Sequence, residues 1–295
     1  MIYKTRGQKI FNVFNYIFII LICLTCILPL INTLAVSFSA PKYVATGKVY
    51  FLPKGFTLMS YEFAIKNGKF LQAFMVSVKR CVLGVGINLF MMITTAYPLS
   101  KSRERFGARN FYTTFYVITM LFGGGLIPYY ILVSQLGLMN TIWSLVLPAS
   151  VPVYSMVILM NFMRNLPPEI EEAAMVDGAG HFRILISILL PVLKPALATV
   201  GLFAFVSHWN DWFTGALFMH DPRNYPLQTY LQTLLTNFRD MLRQSGSDYY
   251  TLLSRMNEQT GRAAQLFLGL VPILIVYPFL QKYFTTGLVV GSVKG

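Results

Sequence analysis

Six long apolar stretches dominate this sequence and limit the folds that it can adopt. Each is long enough to cross a bilayer, whose core of about 30 Å needs roughly 20 apolar residues per α-helix. The stretches are residues 11–38, 77–99, 111–133, 141–163, 195–219 and 263–284. The sequence therefore predicts an all-α integral membrane protein, with six transmembrane helices in a single domain that covers residues 1–295.

The composition excludes a soluble globular domain. Hydrophobic residues make up 55% of the 295 residues and charged residues 12%, and the mean hydropathy is +0.57. The formal net charge of +13 does not indicate a nucleic-acid partner, because the charges are spread over both membrane faces instead of forming one stripe. Anionic lipid headgroups and membrane topology explain the excess, so the expected partner of these charges is the lipid bilayer.

Basic residues near the ends of the spans predict the orientation, since cytoplasmic segments carry an excess of Lys and Arg. Lys4, Arg6 and Lys9 precede the first span, and four more basic residues lie between residues 101 and 109. Both termini are therefore expected in the cytoplasm. Five lysines between residues 40 and 69 argue mildly against this orientation, although the length of that segment weakens the objection.

The third apolar stretch contains a glycine run that predicts a kink or a break. Gly123, Gly124 and Gly125 each lower helix propensity, by roughly 1 kcal/mol relative to alanine, and Pro128 removes a backbone donor. Such a break can line a substrate path, because irregular backbone at membrane depth persists where protein or water covers it. Close helix packing through small residues is the alternative.

Residues 164–194 form a polar-to-amphipathic elbow between two apolar stretches. Pro167 and Pro168 suit a helix start, and acidic residues follow at the positive end of the helix. Gly178 can adopt a positive φ and turn the chain. We expect two short helices joined at that corner.

Each elbow helix is predicted to present one face. In the first helix the spacing i, i+3, i+4 and i+7 groups Ile170, Ala173, Ala174 and Asp177. In the second helix an apolar stripe ends before Pro191. The stripe consists of Phe182, Leu185, Ile186 and Leu189.

The elbow carries a motif that resembles the EAA loop of ABC importer permeases. Its fixed positions match the pattern E-A-A-x3-G-x9-I-x-L-P from Glu172 to Pro191. The resemblance extends over nearly the whole chain, through Ala96-Tyr97, Trp209-Asn210-Asp211 and the C-terminal residues 291–295. Within these permeases the chain is most similar to the maltose-type carbohydrate importers, in the branch associated with complex oligosaccharides and polysaccharide fragments.

This resemblance implies a type I ABC importer permease fold and a set of partners. It implies a heterodimer with a second, homologous permease, two cytoplasmic ATPase subunits and an extracytoplasmic solute-binding protein, in the bacterial cytoplasmic membrane. The elbow would then be the loop that couples the permease to the ATPase. The coupling residues implied are Glu172, Ala173, Ala174, Asp177, Gly178 and Pro191. Ser292 and Lys294 are candidate ATPase contacts at the C-terminus.

The chain is expected to bind no nucleotide and to have no catalytic role of its own. It contains no G-x-x-x-x-G-K-[ST] segment, so ATP and Mg would be used by the partner ATPase subunits. A metal site is not expected either, because His181, His208 and His220 lack an H-E-x-x-H context.

A polar and aromatic cluster in the fifth stretch is the candidate substrate contact. Asp211 lies 16 residues after Pro195, or about 24 Å along a helix, which puts the cluster in the outer half of the span. Indole rings stack on sugars, and carboxylate and amide groups bind hydroxyls. The candidates are Trp209, Asn210, Asp211 and Trp212, with Gly124 from the glycine run. An interfacial aromatic belt, with Asp211 bonding a neighbouring helix, is the alternative.

Two other functions stay open at this stage. One is an ABC permease for a solute that is not a carbohydrate. The other is an ion-coupled secondary transporter, which usually needs ionisable groups within its spans. Asp211 is the only acidic residue in the six predicted spans, which disfavours the second alternative.

Overall fold

The computed structural model describes residues 6–66, 68–233 and 258–292, and the regular secondary structure in this part of the chain is helical. These residues contain no β-strand, only an isolated bridge between Ser39 and Phe56. The helices in chain order are α1 (Arg6–Ser37), α2 (Pro41–Ala45), α3 (Met59–Lys66), α4 (Gly68–Ser100), α5 (Arg109–Leu121), α6 (Leu126–Gln135), α7 (Ile142–Val146), α8 (Val153–Arg164), α9 (Glu169–Val176), α10 (His181–Arg183), α11 (Leu190–Val192), α12 (Lys194–Asn210), α13 (Phe213–Phe218) and α14 (Glu258–Ser292).

Three of these helices are long and apolar enough to cross a membrane, and two bent pairs of helices raise the number to five. The three lie within α1, α4 and α14. The bent pairs are α5 with α6, at 113°, and His181–Val192 with α12, at 83°. The all-α membrane fold is confirmed, and the count of six spans stays a prediction.

The glycine run in the third apolar stretch breaks the helix, as predicted. Helix α5 ends at Leu121 and α6 begins at Leu126. Gly125 has a φ of +86°, a backbone conformation that is strained for residues with a side chain. The chain therefore needs a glycine at this corner.

The fourth and fifth apolar stretches are also interrupted. The fourth is divided into α7 and α8, with Pro148 and Pro152 in the connection. Proline lacks the backbone donor that a continuous helix requires. The fifth is divided into α12 and α13 at Asp211 and Trp212. Asp211 accepts a hydrogen bond from the backbone N–H of Thr214 at 3.1 Å, which caps the start of α13.

The chain divides into two compact units, residues 1–68 with 233–270 and residues 69–232 with 271–295. In the first unit Ala35, Val44 and Val49 form a small buried cluster. The amide of Asn32 donates to the carbonyl of Tyr50 at 2.6 Å and holds the segment after α2 against α1.

The core of the second unit joins the elbow to three long helices. Apolar side chains from α4, α8 and α12 pack there against the elbow, with Met92, Leu159, Ile184 and Val200 fully buried. Apolar packing thus joins the elbow to the body of the second unit.

Candidate functional site

The elbow consists of two short helical segments that meet at a glycine, as the sequence predicts. Helix α9 ends at Val176 and α10 begins at His181. Gly178 between them has a φ of +78°. Apart from its chain neighbours, no atom lies within 4 Å of a Cβ built on Gly178, so the glycine is required by backbone conformation and not by crowding.

The two faces of α9 differ from the predicted grouping. Ala174 is buried in the core, whereas Ala173 and Asp177 are exposed. Consecutive helical residues are about 100° apart, so Ala173 and Ala174 point to different sides. The exposed positions recur at i, i+3, i+4, i+7 and i+8, and we call them the α9 outer face. They are Glu169, Glu172, Ala173, Val176 and Asp177.

The second helical segment also buries a different set of side chains from the predicted stripe. Ile184, Leu185 and Leu189 are buried, while Phe182 is 74% exposed and Ile186 48% exposed. Ile184 and Leu189, which are five residues apart, are both buried within a π-helix over Ile184–Leu189, whose i→i+5 bonding departs from the α-helical period. Phe182 is thus a second exposed apolar group on the elbow.

Ion pairs attach α9 to the segment that follows α4. The ammonium of Lys101 contacts the Glu171 carboxylate, and both side chains are nearly buried, at 10% and 12% exposure. Arg105 contacts Glu172 at 2.9 Å and the second Glu171 oxygen at 3.8 Å. Burial lowers the pKa of Lys101, while its bond to Glu171 opposes that shift. The carboxylate therefore helps to keep the buried lysine charged.

The same end of α4 also contacts the second half of the elbow. The Tyr97 hydroxyl lies within hydrogen-bond distance of Nδ1 of His181, at 3.2 Å. The Lys101 ammonium lies over the Tyr97 ring, 3.9 Å from its centroid, an arrangement that is favourable for a cation and a π face. Residues at the end of α4 thus touch the elbow on both sides of Gly178.

The structure separates the residues of the candidate substrate cluster. Trp209 is buried, with its ring edge-on to Phe74 at a centroid distance of 5.8 Å. Asn210 is exposed and Trp212 is 43% exposed. Gly124 is exposed too, in the break between α5 and α6. Of the aromatic pair, Trp212 is therefore the more available to a ligand.

The carboxylate of Asp211 forms an ion pair with an arginine from α4. It contacts the guanidinium of Arg80, whose side chain is 2% exposed, at 2.5 Å. Arg80 also donates to the backbone carbonyl of Asp211 at 2.8 Å, and the Thr214 hydroxyl contacts the same carboxylate. These bonds satisfy polar groups at the break between α12 and α13, which would otherwise be unpaired in an apolar region.

A second polar contact from α4 holds the break between α7 and α8. The Asn88 amide donates to the carbonyls of Ala149 and Ser150 at 2.6 and 2.9 Å. Its oxygen lies 2.8 Å from Nε2 of the buried His208. Gly84, one turn before Asn88, leaves room for the imidazole, because a Cβ there would lie 2.6 Å from Cδ2 of His208.

Sequence reasoning overlooked several of these partners, although signals for them were present. Asp211 is the lone acid in the predicted spans, and an acid within a membrane usually pairs with a cation. Arg80 lies in the second predicted span and was a candidate for that cation. The basic residues between 101 and 109 were used only to predict the orientation of the chain in the membrane. They lie on the same predicted membrane side as the acids of α9, so ion pairs between the two segments were predictable. Asn88 and Gly84 carry no comparable signal.

The remaining predicted site residues lie at the edges of the described chain or of the elbow. Pro191 is exposed, in α11 at the end of the elbow. Ser292 is the last residue of α14, and Lys294 lies outside the described residues. In the described part of the chain no group of three or more His, Cys, Asp or Glu residues could hold a metal ion.

Comparisons with known proteins agree with this architecture. The model of the family described as "Binding-protein-dependent transport system inner membrane component" matches residues 5–289. Protein LplC of Bacillus subtilis is 36% identical over 99% of this chain and 98% of its own length. The polygalacturonan/rhamnogalacturonan transport system permease protein YtcP of the same species is 34% identical over 98% of this chain and 99% of its own length.

A solved structure shows the same fold. It belongs to a bacterial ABC transporter involved in the import of the acidic polysaccharide alginate. The TM-score is 0.88 at 26% identity, and the match covers 96% of this chain and 100% of the other.

Proposed function

The chain belongs to the family of binding-protein-dependent transport system inner membrane components, and from that premise we propose that it is the permease subunit of an ATP-driven carbohydrate importer. It spans the membrane and carries an oligosaccharide or polysaccharide fragment that an extracytoplasmic binding protein delivers. Separate ATPase subunits drive transport through the elbow, and both termini lie in the cytoplasm.

The α9 outer face carries this proposal. It combines a small alanine and Val176, which is 87% exposed, with carboxylates on either side. An exposed apolar strip on a short helix fits a groove on a partner protein, and carboxylates at its edge suit basic groups at the rim. Because the opposite side of α9 is packed into the core, force applied to the outer face reaches the body of the second unit.

The energy source is supplied by partners. The sequence contains no phosphate-binding G-x-x-x-x-G-K-[ST] loop, so we assign ATP and Mg to two ATPase subunits. The second half of the pore is assigned to a homologous permease, which forms a heterodimer with this chain. Ser292 and Lys294 are further ATPase contacts on this assignment.

The carbohydrate substrate is supported by the relatives and by the break between α12 and α13. YtcP is named for polygalacturonan and rhamnogalacturonan, and the similar solved transporter imports alginate. In this chain the exposed Asn210 and Trp212 flank Asp211. An indole face and an amide are groups that bind sugar rings and hydroxyls, so we assign these two residues to the substrate pathway.

An ion-coupled mechanism is disfavoured by the same region. A proton relay needs an acid that can exchange its proton along the pathway. The carboxylate of Asp211 is instead engaged by the Arg80 guanidinium and the Thr214 hydroxyl, so it serves as a structural contact between helices.

The test of coupling uses the complete transporter, reconstituted in lipid with its second permease, ATPase subunits and binding protein. Val176→Asp places a charge in the docking contact and is expected to reduce ATPase retention during purification at least tenfold. Gly178→Val adds strain of about 1–3 kcal/mol at a positive φ. The matched control is Gly180→Val, because Gly180 has a φ of −71° and open space around it.

ATPase retention, hydrolysis stimulated by loaded binding protein, and sugar uptake are measured together. Val176→Asp and Gly178→Val are expected to lower stimulation and uptake, while Gly180→Val keeps both. Full retention and uptake in both test variants would show that the elbow does not couple the subunits. Mass spectrometry of the ligand bound to the co-purified binding protein tests the substrate class, and a ligand that is not a carbohydrate would contradict that part.

A further inference from the structure

The end of α4 and the residues that follow it contact the elbow through a set of polar side chains, which we call the α4 clamp. It consists of Tyr97, Lys101 and Arg105 on one side and Glu171, Glu172 and His181 on the other. The clamp reaches both halves of the elbow, α9 through the glutamates and α10 through the histidine. Apolar packing in the core alone would not fix the orientation of α9, because apolar contacts are not directional.

The central pair of the clamp is protected from water. The side chains of Lys101 and Glu171 are 10% and 12% exposed, whereas Arg105 is 38% and Glu172 55% exposed. Electrostatic attraction is screened much less in a buried pair than at the surface. Lys101 and Glu171 are therefore the strongest attachment, and Arg105 adds a weaker one at the edge of the α9 outer face.

Helix α4 leads from this clamp to the break at Asp211, where the candidate substrate residues lie, and to the break between α7 and α8. Lys101 follows the last residue of α4, and Arg80 and Asn88 lie on the same helix. The 21 residues from Arg80 to Lys101 correspond to about 32 Å along a helix. At the far end Arg80 holds Asp211, and Asn88 holds the carbonyls of Ala149 and Ser150.

We propose that Lys101 and Glu171 are positioning residues for energy coupling, which tie α9 to α4 so that movement of the elbow is transmitted through α4 to the break at Asp211. This inference rests on the proposed function, since it requires that the ATPase acts on the elbow. It adds a second mechanical connection beside the direct path from the elbow into α12. Glu171 belongs to the clamp alone, whereas Glu172 takes part in both the clamp and the α9 outer face.

The decisive variant is the neutral pair Lys101→Met with Glu171→Gln in the reconstituted transporter. Glu171→Gln alone leaves the nearly buried Lys101 without its carboxylate, and Lys101→Met alone leaves Glu171 with only the longer contact to Arg105, so either single change is destabilising. Removing both charges avoids that penalty, so the double variant is expected to assemble and to hydrolyse ATP at the basal rate. The sugar taken up per ATP hydrolysed is expected to fall about tenfold, because α9 then moves without carrying α4.

Two control variants distinguish a positioning role of the Lys101–Glu171 pair from a general effect of changing the charge of this connection. Lys101→Arg keeps the charge and is expected to retain most of the coupling. Arg103→Gln removes one positive charge from the same connection, where Arg103 is exposed, and should leave uptake per ATP unchanged. A double variant that transports with wild-type coupling would refute the clamp as a coupling element, and so would an equal loss in Arg103→Gln.

Failure of this inference is distinguishable from failure of the proposed function. If the ATPase does not depend on the α9 outer face, Val176→Asp keeps its ATPase subunits, and the proposed docking is wrong. If docking is right and the clamp is unimportant, Val176→Asp loses the ATPase while the neutral double variant remains coupled. The two results come from the same purified complexes.

Discussion

Gly84 is expected to be intolerant of even a single methyl group, because it faces the imidazole of His208. A Cβ at this position would lie 2.6 Å from Cδ2 and 2.7 Å from Cε1 of His208. The ring is buried at 4% exposure and bonded to Asn88 at 2.8 Å, so it cannot move aside without losing that bond. Overpacking costs about 1–3 kcal/mol and the lost hydrogen bond about 1 kcal/mol. Gly84→Ala should therefore destabilise the protein by about 2–4 kcal/mol.

The matched control for this substitution lies on the same helix. Apart from the backbone of its own helix and its chain neighbours, no atom lies within 4 Å of a Cβ built on Gly86, so Gly86→Ala should be neutral or slightly stabilising, since alanine is the better helix former. The free energy of unfolding of both variants is measured in mixed detergent micelles. Gly84→Ala is then repeated in a His208→Ala background, where the ring is absent.

A double-mutant cycle of Gly84→Ala and His208→Ala isolates the contact between these positions. In the His208→Ala background, Gly84→Ala should cost less than about 1 kcal/mol, because the atoms that it displaces are gone. A cost that stays the same in both backgrounds would show that the methyl group does not act through His208. A Gly84→Ala protein as stable as Gly86→Ala would refute the packing argument altogether.

Two further predictions concern the helix breaks. Asp211→Asn leaves the buried Arg80 without its counter-charge and should cost about 3 kcal/mol, so the yield of assembled transporter should fall together with uptake; wild-type yield from this variant would contradict a structural ion pair. Gly125→Ala should lower stability by about 1 kcal/mol or more because of the positive φ, while Gly124→Ala, with open space around it, should not. Both stability comparisons use the same micelle assay, and equal effects at the two glycines would argue against the backbone explanation.

The sequence by itself determined the class of fold and the position of the elbow. Long apolar stretches, the glycine run ending at Gly125, and Gly178 at the corner of the elbow act through local backbone preferences and bilayer thickness. Such effects depend on neighbouring residues only, so they can be read along the chain. The prediction of a break at the glycine run and that of a turn at Gly178 were both confirmed.

Only the tertiary structure decided which side chains meet. The partner of Asp211 is 131 residues away along the chain, and the partner of Glu171 is 70 residues away. No local pattern specifies contacts at that separation, because they depend on how α4 packs against the elbow and the fifth apolar stretch. For the same reason the periodicity of α9 could not reveal that Ala174 faces the core while Ala173 faces outward: both are small, and only the position of α4, α8 and α12 distinguishes the two sides.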